Sequence, residues 1–505
     1  MTPRPTLTYL LKQTPSRALL TILPALALSS GCSMGGYSSG DLGVTPGGVQ
    51  DNRYARELIE DGQIPDETAF RAEGILSEHD LPFTKGDACT ELLCPRAAVA
   101  RHQPVDGGDP QLLVQLGFAT SIDAESFERR PLNLALAVDI SGSMSGEKLD
   151  SVKEALTAMV DQLDGHDRVA LAIFDDTAEL RLKSTVMDEG GRDELRDAIA
   201  ALEVRGGTNI EAGLALAFEQ VAPLAGDPTV EDRVMLLTDA QPNVGATGLD
   251  SFLGMTRFYA ESSIGATVFG VGLDLGAELA QEISKVRGGN YFYLADGEAI
   301  TSIFEDEFEY IVTPLAYDLE AQVTASAGWG FAEAYGAPLD GPSSELEIGA
   351  STLFLSQRGG GIGVALRPGE GQELPLSADA LAEFDLSFLP RGADAPVVDT
   401  LAVPWQGGQT YAASFVTADD LGAFKMAVLI DEYLALRAAA DYCDGELTQE
   451  AALAIVKAAS ERLGEVGSIL ADAALKDDGE LMATLAENLE AGSSRCQQDY
   501  GEYNY

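Results

Sequence analysis

Short apolar runs alternate with amphipathic stretches through the middle of the chain, between about residue 131 and residue 314. Runs rich in Leu, Val, Ala and Ile are typical of strands buried on both faces, and the stretches between them have the period of helices. The predicted strands are 132–139, 168–174, 179–182, 233–239, 267–271 and 291–294, and the predicted helices are 148–163, 192–202, 209–221, 277–286 and 298–310. This order predicts an α/β domain, 131–314, with a Rossmann-like, doubly wound and mostly parallel sheet.

A different pattern flanks this domain on both sides. Residues 112–118 form an alternating run, and residues 315–418 contain short runs separated by Gly and Pro turns. The clearest of the later runs are 317–323, 351–355, 363–366 and 384–388. Short strands at this spacing favour a β-sandwich. We therefore expect a discontinuous sandwich, 111–130 and 315–420, into which the α/β domain is inserted.

Helical periods mark the two outer parts of the folded chain. An amphipathic helix is predicted from Asn52, ending before Gly62 and Pro65, and a second helix follows near residue 71. We assign 51–110 to a segment of helices and loops. Residues 421–505 are rich in Ala and Leu and predict three helices, interrupted near 444–445 and again near 477–479. At 505 residues the chain exceeds what one hydrophobic core usually supports.

The first 31 residues predict an export signal. Three basic residues precede an apolar run, 18–28, that is too short to span a membrane, and Ser29-Ser30-Gly31-Cys32 follows. This pattern resembles a bacterial lipoprotein signal, in which Cys32 is lipidated and begins the mature chain. Ser29 stands where such signals usually carry Leu, so ordinary secretion is the alternative. Ser33 resembles the residue found in outer-membrane lipoproteins, and the Gly- and Ser-rich stretch 32–50 predicts a flexible tether.

Four further cysteines fit an oxidising compartment. Cys89 and Cys94 are close in sequence, and Cys443 and Cys496 lie near the carboxyl end. An even number of cysteines in an exported chain predicts disulfides. Of the three connectivities we favour local pairing, Cys89 with Cys94 and Cys443 with Cys496. A zinc site is the alternative, but the first pair is spaced more widely than zinc knuckles, and no His lies near the second pair.

Composition excludes one class of partner. The chain carries 81 acidic and 32 basic residues, for a net charge of −49. Such a balance makes a broad nucleic-acid-binding surface improbable, because that surface needs clustered basic residues. It equally disfavours electrostatic attachment to anionic lipid. The acidic residues are spread along the whole chain, which indicates solubility rather than a dedicated acidic function.

Oxygen-bearing side chains collect at the ends of two predicted strands. Asp139, Ser141 and Ser143 follow the first strand of the α/β domain, and Asp239 ends another strand. Thr208 lies in a Gly-Gly-Thr-Asn turn that enters a helix. The carboxyl ends of strands in open α/β sheets are where ligands bind. Carboxylate and hydroxyl oxygens suit a small divalent cation such as Mg²⁺.

These three segments resemble the metal-ion-dependent adhesion site of von Willebrand factor type A domains, with all five positions of the pattern present. The resemblance implies that Asp139, Ser141, Ser143, Thr208 and Asp239 hold Mg²⁺, or Mn²⁺ or Ca²⁺, and that an Asp or Glu of a partner protein fills the open position. The segment near residues 52–73 also resembles the leader of one group of bacterial lipoproteins with such domains.

The sequence predicts a lipid-anchored envelope protein that binds a protein partner and is not an enzyme. It is attached to the outer membrane through Cys32 and faces either the periplasm or the cell surface. Two alternatives stay open. In one the metal is structural, in an envelope scaffold. In the other the chain is a metal-assisted hydrolase, although the only histidines are His79, His102 and His166, and no G-x-S-x-G elbow occurs.

Overall fold

The computed structural model of the chain describes residues 43–46, 52–123, 126–239, 248–271, 282–283 and 285–294, and, apart from short gaps, residues 304–497. The predicted export signal lies outside the described residues, as does the predicted tether apart from 43–46. The helices predicted at 277–286 and 298–310 fall largely outside them.

The inserted domain contains a six-stranded sheet in the order β6-β5-β4-β7-β8-β9. All neighbouring pairs are parallel except β5 with β6, which is antiparallel and forms one edge. This confirms the predicted doubly wound, mostly parallel α/β fold. The strands are β4 (Leu132–Asp139), β5 (Arg168–Phe174), β6 (Ala178–Val186), β7 (Glu231–Thr238), β8 (Gly265–Val271) and β9 (Gly289–Leu294).

Helices cover both faces of this sheet, which explains why its central strands are apolar on both sides. In β4 every residue is buried: Leu134 and Leu136 pack into one core, and Ala135 and Ala137 into the other. Small side chains on the second face let a helix approach closely, and a Cβ on Gly213 would lie only 2.2 Å from the Phe174 ring. The helices are α3 (Glu147–Asp161) and α4 (Glu189–Ala200) on one face, and α5 (Ile210–Val221) and α6 (Gly248–Ala260) on the other.

The flanking segments form the predicted sandwich of two antiparallel sheets. One sheet has the order β1-β12-β10-β14-β15 and the other β11-β13-β3-β2-β16. The strands are β1 (Gly43–Pro46), β2 (Cys94–His102), β3 (Gln111–Ala119), β10 (Pro314–Ala325), β11 (Trp329–Tyr335), β12 (Glu345–Ser356), β13 (Ile362–Pro368), β14 (Ala378–Pro390), β15 (Val397–Trp405) and β16 (Val416–Ala418). The chain leaves the sandwich after β3 and re-enters at β10.

Two strands of the sandwich come from segments that we expected to be irregular. The strand β2 pairs with β3 along its length, from Cys94 opposite Ala119 to His102 opposite Gln111, within the segment assigned to helices and loops. The strand β1 pairs with β12 and lies within the stretch 32–50, assigned to a flexible tether. Because these two strands pair with β12 and β3, the sandwich extends beyond the predicted bounds of 111–130 and 315–420.

The amino-terminal and carboxyl-terminal helices pack together on the outer face of the second sheet. The long helix α8 (Leu421–Cys443) is buried almost all round. Its Phe424 and Met426 share a core with Ala100 and Leu113 of that sheet. The helices of this layer are α1 (Arg53–Glu60), α2 (Ala72–Ser77), α8 (Leu421–Cys443), α9 (Gln449–Leu470) and α10 (Ala473–Ala491); the short helix α7 (Phe308–Ile311) precedes β10.

The predicted second break in the carboxyl-terminal helices is wrong. The residues 477–479 lie inside α10, and the chain turns instead at Ala471, whose φ of 55° is left-handed, and Asp472, whose side chain accepts a hydrogen bond from the Leu475 N–H. The sequence gives no sign of this turn, because an alanine normally continues a helix. Three helices are nevertheless present.

Two disulfides are present, Cys89 with Cys94 and Cys443 with Cys496, which is the predicted local pairing. The second joins the end of α8 to the segment after α10, so it ties the helical layer together. Among the described residues, no helix combines the length and apolar character that crossing a membrane requires.

Candidate metal centre

The central strand β4 ends in a carboxylate that is completely buried. Asp139 is 0% exposed and is held from two sides. Its Oδ1 accepts a hydrogen bond from the Ser141 backbone N–H at 2.8 Å, and its Oδ2 accepts one from the Thr238 hydroxyl at 2.5 Å. Burial raises the pKa of the Asp139 carboxyl, against the opposing effect of these hydrogen bonds. Both donors come from ends of neighbouring parallel strands, β4 and β7.

Hydroxyl groups connect this carboxylate to the one at the end of β7. The Oγ atoms of Ser141 and Ser143 lie 3.0 Å apart, and the Ser143 hydroxyl donates to Oδ1 of Asp239 at 2.9 Å. Ser141 and Asp239 are buried, whereas Ser143 is exposed. Four of the five predicted ligands therefore meet at one edge of the sheet. The two carboxylates are buried there, and Ser143 is on the solvent side.

The loop that carries Thr208 is docked against the same edge. The Arg205 N–H donates to the Ile140 carbonyl at 2.6 Å, and the Gly142 N–H donates to the Gly206 carbonyl at 3.1 Å. Asn209 then begins α5, its side chain accepting from the Ala212 N–H. Thr208 is half-buried between these contacts. The loop is thus fixed beside the Asp139–Ser143 turn through its backbone.

The motif alone did not indicate two groups of charged side chains at this site. Lys148, in the first turn of α3, places Nζ 2.6 Å from Oδ2 of Asp239. Arg205 places Nε 2.7 Å from Asp175 and Nη2 2.8 Å from Glu179, which anchors the Thr208 loop from its outer side. A Lys at a helix start and an Asp directly after β5 are the sequence signals that could have suggested these contacts.

The donor set fits a hard divalent cation. It offers two carboxylates, three hydroxyls and no nitrogen or sulfur ligand, which is the chemistry that Mg²⁺ prefers. Such an ion keeps several waters, so ligands that lie outside direct reach act through them. The role of these five residues as metal ligands stays a prediction, and Cys32, the predicted lipidation site, lies outside the described residues.

Comparison with known proteins assigns this part of the chain to a family. A family model described as von Willebrand factor type A domain matches residues 132–293, the region that spans β4 to β9. This part of the chain is a von Willebrand factor type A domain. Type A domains commonly bind a divalent metal ion and typically mediate interactions between proteins.

Similar proteins contain the type A domain in different settings. The chain is 26% identical over 289 residues to the uncharacterized protein YfbK of Escherichia coli (strain K12), covering 56% of this chain and 49% of that protein. It is 26% identical over 200 residues to inter-alpha-trypsin inhibitor heavy chain H4 of Homo sapiens, covering 38% and 21%. The match thus spans about half the length of the bacterial relative and less of the human one.

Among solved structures, the chain is similar to a von Willebrand factor type A protein from Catenulispora acidiphila. The two are 14% identical, with a TM-score of 0.45, and the match covers 80% of this chain and 98% of the other.

Proposed function

We propose that this chain is an envelope protein that binds a partner protein through a divalent cation at the type A domain. Asp139, Ser141, Ser143, Thr208 and Asp239 hold the ion, with Mg²⁺ as the first choice and Mn²⁺ or Ca²⁺ as alternatives. The observation that carries the proposal is the layered arrangement of the site. Asp139 and Asp239 are buried and Ser143 is exposed, so the negative charge is inside and an ion held there would have its open position toward solvent.

The charges of the site favour an acidic group on the partner. Asp139 and Asp239 contribute two negative charges, and the ammonium of Lys148 contributes one positive charge. A bound divalent cation would bring the summed charge of these three side chains and the ion to +1, and it would supply a Lewis-acidic position for a carboxylate of an Asp or Glu. The acidic surface of the rest of the chain opposes this weakly, because charges beyond about 8 Å are largely screened at physiological salt.

Calorimetry on the full chain after chelator treatment tests the metal site. We expect saturable binding of Mg²⁺ and Mn²⁺ near one ion per chain, and its loss in the Asp139→Ala/Asp239→Ala variant. Asp227→Ala is the matched control, because Asp227 is an exposed carboxylate before the amino end of β7, the strand whose other end carries Asp239. Equal binding by all three proteins would show that the ion binds elsewhere.

Attachment to the membrane is a separate part of the proposal and has its own test. We propose that Cys32 is lipidated and holds the protein in the outer membrane, facing the periplasm or the cell surface. Cells that express the chain with a clickable fatty acid should label it, and Cys32→Ser should remove the label. Labelling that persists in the variant would contradict the anchor without touching the metal site.

The scaffold alternative, in which the ion only stabilises the fold, predicts that Mg²⁺ raises the melting temperature of the protein, while chelator leaves partner capture unchanged.

The hydrolase alternative has weaker support. The side chain of His166 is 81% exposed and lies 3.1 Å from Asp164 in a surface turn. His79 follows α2 and His102 ends β2, and both are buried outside the type A domain. None of the histidines is therefore placed to act as a base beside the ion.

A further inference from the structure

A group of buried ionisable side chains lies outside the type A domain, where the amino-terminal and carboxyl-terminal helices meet. It comprises His79, just after α2, Glu432 on α8 and Asp478 on α10. Their residues are only 3%, 1% and 2% exposed. Burying ionisable groups in this way costs free energy unless each is paired.

The atoms of this group face one another without forming hydrogen bonds. Nε2 of His79 lies 3.0 Å from Oδ2 of Asp478, yet neither atom has a partner in hydrogen-bond geometry. Oε2 of Glu432 has none either, and Nδ1 of His79 is also without one. One ligand atom from each of the three residues lies within 4.8 Å of the other two. Side chains that converge but do not bond to each other are arranged around a common point.

The charges at this point do not balance. Arg56 is the cation nearby, with Nη2 2.7 Å from Glu78 and 2.9 Å from Oδ1 of Asp478. It leaves Oδ2 of Asp478 free to face His79. With all three carboxyls ionised and His79 neutral, Glu78, Glu432 and Asp478 exceed the Arg56 guanidinium by two negative charges. Burial first, and then the neighbouring Asp478, raise the pKa of Glu432, so Arg56 alone does not stabilise the charged form of this carboxyl.

We propose that His79, Glu432 and Asp478 form a structural site for a zinc-class divalent ion. An imidazole nitrogen with two carboxylate oxygens is a ligand set that Zn²⁺ accepts, whereas Mg²⁺ prefers oxygen alone. Bonds of ~2.0–2.1 Å in a tetrahedral site place ligand atoms roughly 3.3 Å apart, so the three atoms, which lie within 4.8 Å of one another, would draw closer on binding. An ion of charge +2 also cancels the buried excess.

Such an ion would join three distant parts of the chain. It would fix the segment after α2 to α8 and α10, in the layer that the Cys443–Cys496 disulfide also closes. The ion would therefore hold the amino-terminal segment against the carboxyl-terminal helices. Its residues lie on elements other than those that carry the proposed adhesion site.

The test is zinc binding by the full chain in the Asp139→Ala/Asp239→Ala background, which removes the other predicted site. We expect about one Zn²⁺ per chain after dialysis. In His79→Gln, affinity should fall by more than about 100-fold, because losing a ligand costs more than the 10–100-fold lost with an outer partner. The matched control is His166→Gln, which removes an exposed histidine and should leave binding unchanged.

Glu432→Gln is the second variant, because it keeps the shape of the side chain and removes a buried charge. It should fold at least as well as the parent and also lose Zn²⁺. Co²⁺ held by the three residues and one water should give visible bands of a four-coordinate site in the parent and in His166→Gln, and in neither ligand variant. Absence of stoichiometric Zn²⁺ in the parent, or equal binding in Glu432→Gln, would overturn the proposal. Loss of Mg²⁺ binding in Asp139→Ala/Asp239→Ala has no bearing on it.

Discussion

The ammonium of Lys148 lies 2.6 Å from Oδ2 of Asp239, so a side chain of α3 and the proposed metal compete for the same carboxylate. The Lys148 side chain is 29% exposed, while that of Asp239 is almost completely buried. The pair therefore neutralises a buried charge when no metal is bound. It also places a positive charge beside any ion that binds.

Replacing this lysine should strengthen metal binding. For Lys148→Met we expect Mg²⁺ affinity to rise about 30-fold, since removing a unit charge ~4 Å from a divalent ion is worth about 2 kcal/mol in a water-like dielectric. Calorimetry in low salt measures the change. Lys153→Met, on the same helix, is the control and should bind as the parent does. Weaker binding in Lys148→Met would mean that the lysine supports the site rather than competing for it.

The same variant should be less stable without metal. In chelator, Lys148→Met leaves the Asp239 carboxylate without its charged partner, at a cost of about 1–3 kcal/mol. Urea unfolding in chelator and in excess Mg²⁺ measures both states, and Mg²⁺ should restore most of the loss. A loss of equal size in both conditions would contradict competition for the carboxylate.

A glycine positions the loop that carries Thr208. Gly206 has a φ of +68°, and a Cβ there would lie 2.8 Å from Oδ2 of Asp176 and 3.0 Å from the Asp175 Cβ. Gly206→Ala should therefore lower Mg²⁺ affinity about tenfold, or about 1.4 kcal/mol, by shifting the loop. Gly107→Ala is the control, because its φ is +83° but nothing lies within 4 Å. It should lose stability by about 1–2 kcal/mol from strain alone and bind Mg²⁺ normally.

The two disulfides should differ in their contribution to stability. Cys443 and Cys496 are 53 residues apart in sequence, whereas Cys89 and Cys94 are separated by 5. In the chain-entropy model, removing the longer loop closure costs about 4 kcal/mol and the shorter about 2 kcal/mol. Urea unfolding of the two double Cys→Ser variants measures this difference. Equal losses would mean that strain or residual structure, not loop length, determines the effect.

Much of the type A domain could be predicted because its strands are buried on both faces. The strands β4 and β7 contain the apolar runs 134–138 and 234–237, which are typical of strands buried on both faces. The strand β2 was missed because Pro95, Arg96 and Arg101 interrupt its pattern. Its pairing with β3 is decided by the tertiary structure. The helix α6 was missed as well, in a stretch that contains Gly248 and Gly254.

The candidate sites differ in how far the sequence reveals them. Asp139 and Asp239 could be paired from sequence because the carboxyl ends of parallel strands must share an edge. The contacts of Lys148 and Arg205 depend on the conformations of long side chains, which no spacing rule gives. The group around His79 is beyond sequence reasoning altogether. His79 is hundreds of residues from Glu432 and Asp478 in sequence, and only helix packing brings the three together.

An ion pair joins the type A domain to the sandwich at the opposite end of the sheet. Glu231, the first residue of β7, is buried and lies 2.5 Å from Nη2 of Arg391, which follows β14. Arg233 is fully buried and 3.8 Å away. Burial outweighs the attraction of both arginines and raises the pKa of Glu231 to about 7. Between about pH 4.5 and pH 7 this carboxyl therefore holds a proton in the folded protein that the unfolded chain releases, and above that range it pairs with Arg391 as an anion.

Stability should accordingly fall as the pH rises through this range. Between the ordinary Glu pKa near 4.5 and about 7, the folded state binds more protons than the unfolded state, so the free energy of unfolding decreases with pH. The shift corresponds to a loss of roughly 3 kcal/mol, complete above about pH 7. Glu231→Gln should remove this part of the slope, measured by urea unfolding from pH 5 to pH 8 in chelator. Glu345→Gln, at an exposed position on β12, should keep the parent's slope. Parallel slopes in Glu231→Gln and the parent would show that Arg391 keeps Glu231 ionised throughout.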